Sequence, residues 1–302
     1  MKTTAYDIVK DQDLSGKVYL ITGGYAGLGA ISTKALLMAG AQVIITGRSA
    51  TTQADFVKSL QDDTELSFDP AQLDASHTID LGDLKSVQAF ANYVKGTYDR
   101  IDCLVNNAGV MNTPPGKTKD GFEIQMGINV IGHFLLSKML VDITYRQVWL
   151  SSKGHIRYGA PRINLDAITN IEQPAYIPRA RYQQAKLGDI LLARQFAKLY
   201  PHLKAVSVHP GGVKTNLGRH MTLGQKIKFV LTNPIIVMSM VSAEEGAATQ
   251  VLVATLPDGE LSNGAYYSDC KVTREAESAR NMEDAKKLFD YCDEVTQAFQ
   301  GQ

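Results

Sequence analysis

Tyr182 and Lys186 stand four residues apart in a stretch that reads as helix, so their side chains share one face. A free tyrosine, with a pKa of about 10, is a poor acid–base near neutrality. A neighbouring ammonium favours the phenolate and lowers that value. Such a pair can hand a proton to a carbonyl oxygen or take one from an alcohol, which is worth on the order of 10²–10⁴ in rate. The Tyr-x-x-x-Lys spacing is common by chance and fits an ordinary amphipathic helix equally well. Ser152 changes that weighting. It closes the apolar run Gln147–Ser152, at the edge where open α/β sheets place their sites. Its hydroxyl can hold a substrate oxygen against Tyr182. Ser151 is its rival by adjacency.

A second chemistry is written into Thr22-Gly23-Gly24-Tyr25-Ala26-Gly27-Leu28-Gly29. Glycines at 23, 27 and 29 permit a tight turn and a close backbone approach to a ligand. The loop lies between a buried strand and a helix whose first N–H groups and positive dipole end suit a pyrophosphate. Gly23, Tyr25, Gly27, Leu28 and Gly29 are therefore expected to bind a cofactor. The next strand ends Thr46-Gly47-Arg48-Ser49 and carries no acid to accept bonds from a ribose 2′-hydroxyl. Arg48 can instead grip a 2′-phosphate, with room left by Gly47 and a further hydroxyl from Ser49. NADP(H) is expected over NAD(H).

The elements that must position these groups alternate between strand-like and helix-like. Strands are expected at Lys17–Thr22, Ala41–Thr46, His77–Leu81, Ile101–Asn106, Gln147–Ser152, Ala205–His209 and Gly264–Ser268. Helices are expected at Gly27–Gly40, Thr52–Gln61, Asp83–Tyr98, Asp120–Leu140, within Ile177–Tyr200, and at Ala243–Leu256 and Glu283–Ala298. This is a doubly wound α/β fold of the Rossmann type, with a parallel sheet of about seven strands and helices on both faces. No linker or repeat divides the chain, so residues 1–302 read as one domain. A substrate lid is expected near 216–242 and a C-terminal extension near 270–302.

The 302 residues carry 31 basic and 31 acidic side chains and are 44% hydrophobic, which suits a globular core and gives no footprint for nucleic acid. Cys103, Cys270 and Cys292 form no CxxC, and the six histidines form no metal motif. A reducing compartment, the cytoplasm, is expected, with no metal. Met1–Gly16 is polar and lacks the apolar core of a signal peptide. Met221–Val241 is apolar but interrupted by Pro234, too short and broken to span a bilayer. It reads as packing or as an apolar lid over a hydrophobic carbonyl or alcohol. A peripheral membrane contact and a homodimer stay open.

The order of these motifs resembles the short-chain dehydrogenase/reductase family, which opens on Thr-Gly-x-x-x-Gly-x-Gly. The resemblance continues through Asp80, Asn106-Asn107-Ala108-Gly109, Asn129, Ser152, Tyr182-x-x-x-Lys186 and Pro210-Gly211. Asn129–Phe134, Val208–Gly211 and Gly264–Val272 are similar to the retinol-dehydrogenase and WW-domain-oxidoreductase branch. The resemblance implies that Asp80 and Leu81 flank the adenine and that the segment Asn106–Gly109 lies beneath the adenine-side ribose, with Asn106 and Ala108 binding the cofactor. It implies that Val213 meets the carboxamide and Thr215 a phosphate or amide. It prefers Ser152 to Ser151, and gives Asn129 a water that relays protons to Lys186. Ala185 replaces a serine found in many relatives, and Leu140–Gln147 is shorter than usual. The activity implied is oxidation and reduction between carbonyl and alcohol. A dinucleotide-binding sensor on the same fold, or reduction of an activated carbon–carbon double bond, remain alternatives.

Overall fold

A computed structural model describes residues 3–64, 66–156, 162–169, 171, 176–213 and 240–301. Strands β1 (Val18–Thr22), β2 (Gln42–Thr46), β3 (Leu73–Asp74), β4 (Cys103–Asn106), β5 (Arg146–Leu150), β6 (Lys204–His209), β7 (Tyr266–Ser268) and β8 (Lys271–Val272) form one sheet. Their order is β3-β2-β1-β4-β5-β6-β7-β8. All neighbours pair in parallel except β7 and β8, which are antiparallel. The order reverses between β1 and β4, the switch point at which such sheets open a crevice beyond their carboxyl ends.

Every residue of β1, β4 and β5 is buried, as a parallel sheet covered on both faces requires. Alternate residues face opposite layers. Leu20, Ile44, Leu104 and Trp149 pack on one side, and Tyr19, Ile21, Val43 and Val148 on the other. The first layer holds α4 (Leu84–Thr97), α5 (Ile124–Met126), α6 (His133–Met139), α7 (Pro178–Leu199) and α9 (Met282–Gln300). The second holds α1 (Ala5–Val9), α2 (Gly27–Met38), α3 (Ala50–Gln61) and α8 (Ala243–Thr255). No helix among the described residues is long and apolar enough to cross a membrane.

Three elements depart from the sequence expectation. The third strand is Leu73–Asp74 rather than His77–Leu81, and the later segment runs on with Ile79 donating to the Gly47 carbonyl at 3.0 Å. The helix expected over Asp120–Leu140 starts at Ile124 and carries a π-turn, Gly127–Gly132, between α5 and α6. The C-terminal segment adds β8, and α9 buries Leu288, Phe289 and Cys292 against the core. Thr215 and nearly all of the segment expected as a lid, residues 214–239, lie outside the described residues.

Candidate active site

The turn after β1 has Gly23 at φ +66° and Gly27 at φ +53°, a region that disfavours side chains. Gly29 is a matter of space, since a Cβ there would stand 2.3 Å from the Gly23 carbonyl oxygen. Helix α2 starts at Gly27 with no side chain capping it, so its first N–H groups face the crevice uncapped. This cradle fits the pyrophosphate expected from the sequence.

The turn is braced from behind by a buried network. The Thr22 hydroxyl accepts from the Asn107 and Ala108 N–H groups at 3.0 Å each and lies 2.9 Å from His133 Nε2. His133 Nδ1 lies 3.0 Å from the Asn129 carbonyl. These partners suit a neutral ring with hydrogen on Nδ1 and Nε2 accepting from Thr22. Burial pushes His133 down to about 4, well below the usual histidine value. Asn107 Nδ2 donates to the Thr22 carbonyl at 2.7 Å, fastening β4 to the glycine turn. Asn107 and His133 enter the sequence reading only within the stretches Asn106–Gly109 and Asn129–Phe134, because their partners lie far away along the chain. Asn106, expected beside the ribose, is buried and turned toward α6, with Nδ2 donating to Ser137 Oγ at 2.9 Å.

The sign of the His133 shift makes a prediction. A histidine depressed in the folded state contributes stability above pH 6.5 that is lost as pH falls toward 4. Between pH 7 and pH 5 this costs about 2 kcal/mol. Denaturant unfolding of His133→Gln should show a flatter pH dependence over that range than the wild type. Equal slopes would contradict the assignment.

Arg48 is exposed at the end of β2, and no hydrogen bond or ion pair engages it among the described residues. The room expected beside Gly47 is taken by Tyr25, whose Cε1 lies 2.4 Å from where a Cβ at 47 would sit. Tyr25 also accepts from the Ser49 N–H at 3.3 Å. Ser49 Oγ caps α3 by accepting from Thr52 N–H at 3.2 Å, so that hydroxyl is already engaged. Asp80 accepts from Gly82 N–H at 2.9 Å, and Leu81 is buried in the core. On the far side of the crevice Leu28 and Val213 meet over Gly246 of α8. A Cβ at 246 would come within 2.4 Å of Val213 and 3.0 Å of Leu28.

Ser151 and Ser152 point to different places. Ser151 is buried and donates to the Lys186 carbonyl at 2.6 Å. Ser152 is half-buried and accepts from Gly154 N–H at 3.0 Å, and its Oγ and the Tyr182 ring flank Gly154, 3.3 and 3.4 Å from where a Cβ there would sit. His155 pins this turn, with Nδ1 2.5 Å from the Ser152 carbonyl and Nε2 accepting from Ala276 N–H at 3.2 Å. Helix α7 is fixed at its start by Gln125, which donates to the Pro178 carbonyl at 2.9 Å and accepts from Asn112 N–H at 3.0 Å.

Lys186 sits behind Tyr182, with Nζ 5.7 Å from the ring centroid. It donates to the Leu150 carbonyl at 2.6 Å and to Asp189 Oδ2 at 2.7 Å. Burial raises the Tyr182 pKa above the ordinary phenol value, outweighing the opposite pull of Lys186 and Ser152. The side chain of Asn129 is spent on Val110, accepting from its N–H at 2.9 Å and donating to its carbonyl at 3.0 Å. A π-turn centred on this residue accommodates that pairing. Any relay through Asn129 must therefore use its backbone. Ala185 is fully buried in the core, away from the crevice. Asp189 was not singled out from sequence, although an acid inside the apolar run Leu187–Ala193 is a signal that could have found it.

The family model for short chain dehydrogenases matches residues 17–226. The chain is 35% identical over 295 residues to retinol dehydrogenase 14 of Homo sapiens, covering 92% of this chain and 85% of that protein. It is 33% identical over 310 residues to short-chain dehydrogenase TIC 32 A, chloroplastic, of Brassica napus, covering 96% and 91%. In fold it is similar to the crystal structure of an uncharacterized protein from Mycobacterium Paratuberculosis, with a TM-score of 0.76, 25% identity and 98% of each chain covered. The family match begins at the residue before β1 and runs past β6, so the glycine turn, Ser152, Tyr182 and Lys186 all fall inside it, and the chain belongs to the short-chain dehydrogenase family of oxidoreductases.

Proposed function

We propose that the protein is an NADP(H)-dependent oxidoreductase that interconverts a carbonyl and an alcohol on a hydrophobic small molecule. The observation that carries this reading is the Lys186 ammonium held behind the Tyr182 ring, with Ser152 at the carboxyl edge of β5 flanking Gly154 together with that ring. When bound, the nicotinamide supplies or takes up a hydride. Gly23, Gly27, Leu28 and Gly29 would hold the pyrophosphate, Tyr25, Asp80, Leu81 and Ala108 the adenosine side, and Val213 and Thr215 the nicotinamide side. Lys186 would reach the ribose hydroxyls. Asn106, whose side chain is turned to Ser137, would meet the adenine-side ribose through its backbone.

Ser152 donates to the carbonyl oxygen and holds it against Tyr182. Tyr182 then gives that oxygen its phenolic proton, so carbonyl becomes alcohol. Tyr182 is held protonated in the resting protein, so it can serve as the proton donor when a carbonyl is reduced. Lys186 stabilises the phenolate left behind, and the Asn129 backbone carbonyl would hold a water that relays a replacement proton to Lys186.

The preference for apolar substrates rests on two observations. Ile156 and Ile177 are exposed, 45% and 54%, one just beyond Ser152 and the other at the start of α7 ahead of Tyr182. The relative of highest identity given above is a retinol dehydrogenase, named for an apolar alcohol. The apolar residues of 216–242 would add a lid. The free thiols Cys103, Cys270 and Cys292 suit a reducing compartment such as the cytoplasm.

Arg48 decides the cofactor. An exposed, unengaged guanidinium beside the N-terminus of α3 suits a 2′-phosphate. Calorimetry with Arg48→Ala should show NADPH binding weakened about tenfold or more, with NADH binding nearly unchanged. Equal losses, or a wild type that prefers NADH, would overturn the NADP reading.

A further inference from the structure

Lys186 is 5% exposed, and burial works against an ammonium there. What opposes burial is Asp189, one turn further along α7, with Oδ2 2.7 Å from Nζ. The Asp189 side chain is 2% exposed, and its Oδ1 has no hydrogen-bond partner among the described residues. The acid is thus committed to Lys186. The other groups facing the ammonium are the Leu150 carbonyl of β5, the Tyr182 phenol, and His133 of α6. Of these, the carbonyl and the phenol are neutral at neutral pH, and His133, depressed by burial, is neutral too.

We propose that Asp189 is a positioning residue, which keeps the buried Lys186 protonated and holds its ammonium against the end of β5, behind Tyr182. The assignment rests on reading Tyr182 as the proton donor. Without the carboxylate, burial would be opposed only by dipoles, and Lys186 would lose its proton at lower pH. Tyr182 would then lose the cation that stabilises its phenolate. A neutral amide at 189 can accept a hydrogen bond from Nζ but cannot supply the charge. The same carboxylate tempers the pull of Lys186 on the phenol, which is consistent with Tyr182 remaining protonated at rest. Burial pushes Asp189 above the usual carboxylate range, so the pair weakens on acidification.

The test follows the Lys186 side chain directly. The full chain, labelled at lysine Cε with carbon-13, is titrated by NMR, with the Lys186 resonance assigned through Lys186→Arg. In Asp189→Asn the Lys186 titration should move down by at least about one pH unit, a roughly tenfold loss of proton affinity. Asp189→Ser carries the same expectation and replaces the first variant if that one does not fold. Asp189→Glu should return the titration toward the wild type. In the wild type alone, the Lys186 resonance should also shift on acidification as Asp189 takes up a proton. With an apolar aldehyde and NADPH, the alkaline limb of kcat/KM should move down in step with Lys186. An unmoved titration in the Asn or Ser variant, or an unmoved alkaline limb in variants that turn over, would each overturn the proposal. A moved titration in a protein that reduces no carbonyl would sustain the pairing and sink the functional reading instead.

Discussion

Tyr182→Phe should lower kcat for carbonyl reduction by at least about 100-fold while leaving NADPH affinity within about threefold of the wild type. The substitution removes one oxygen and its proton from a side chain whose ring stays in place over Lys186. Ser152 would still hold the carbonyl oxygen, but it would have no phenol beside it to complete the alcohol. The comparison of rate with binding separates a lost proton from a lost cofactor site. A Tyr182→Phe enzyme with near-normal turnover would remove Tyr182 from the mechanism.

Gly29→Ala should have the largest effect on binding. The added methyl would stand 2.3 Å from the Gly23 carbonyl oxygen and 2.6 Å from Asn107 Nδ2. The first obstacle is backbone in the turn itself, held by Thr46 and Asn107, and it cannot yield without rebuilding the cradle. We expect NADPH binding to weaken about 30-fold or more, near 2 kcal/mol. Thermal unfolding of the unliganded variant separates this effect from loss of the fold. Unchanged NADPH affinity in a folded Gly29→Ala protein would mean that the cofactor does not depend on this turn.

What could be read from sequence was local. The glycine spacing between a buried strand and a helix, the Tyr182–Lys186 interval and the serine closing β5 each announce themselves within a few residues, and the structure brings them to one edge of one sheet. The misreadings arise where distant contacts decide. Ile79 and Leu81 look like a strand because they are apolar, yet they pack in the core while the paired strand is the two-residue, half-buried Leu73–Asp74. The π-turn depends on the pairing of Asn129 with Val110, which no helical periodicity encodes. Helix α1 is five residues long and rests on a Thr4–Asp7 capping box in a stretch that is polar overall. Arg48 and Asp189 show the two extremes. The first is readable from the absence of an acid after β2, and the second only from what its carboxylate touches.

The central claim is that hydride and proton are delivered to a carbonyl at Ser152 and Tyr182. The most direct measurement uses NADPH deuterated at the transferring position of the nicotinamide, incubated with the wild-type protein and an apolar α,β-unsaturated aldehyde. Mass spectrometry of the product should find one deuterium on the carbinol carbon of the allylic alcohol, with the double bond intact. Deuterium on the β-carbon of a saturated aldehyde would show reduction of the carbon–carbon bond instead. No incorporation across a panel of carbonyls, with NADPH bound, would show a dinucleotide-binding protein without this chemistry. Either result would contradict the account.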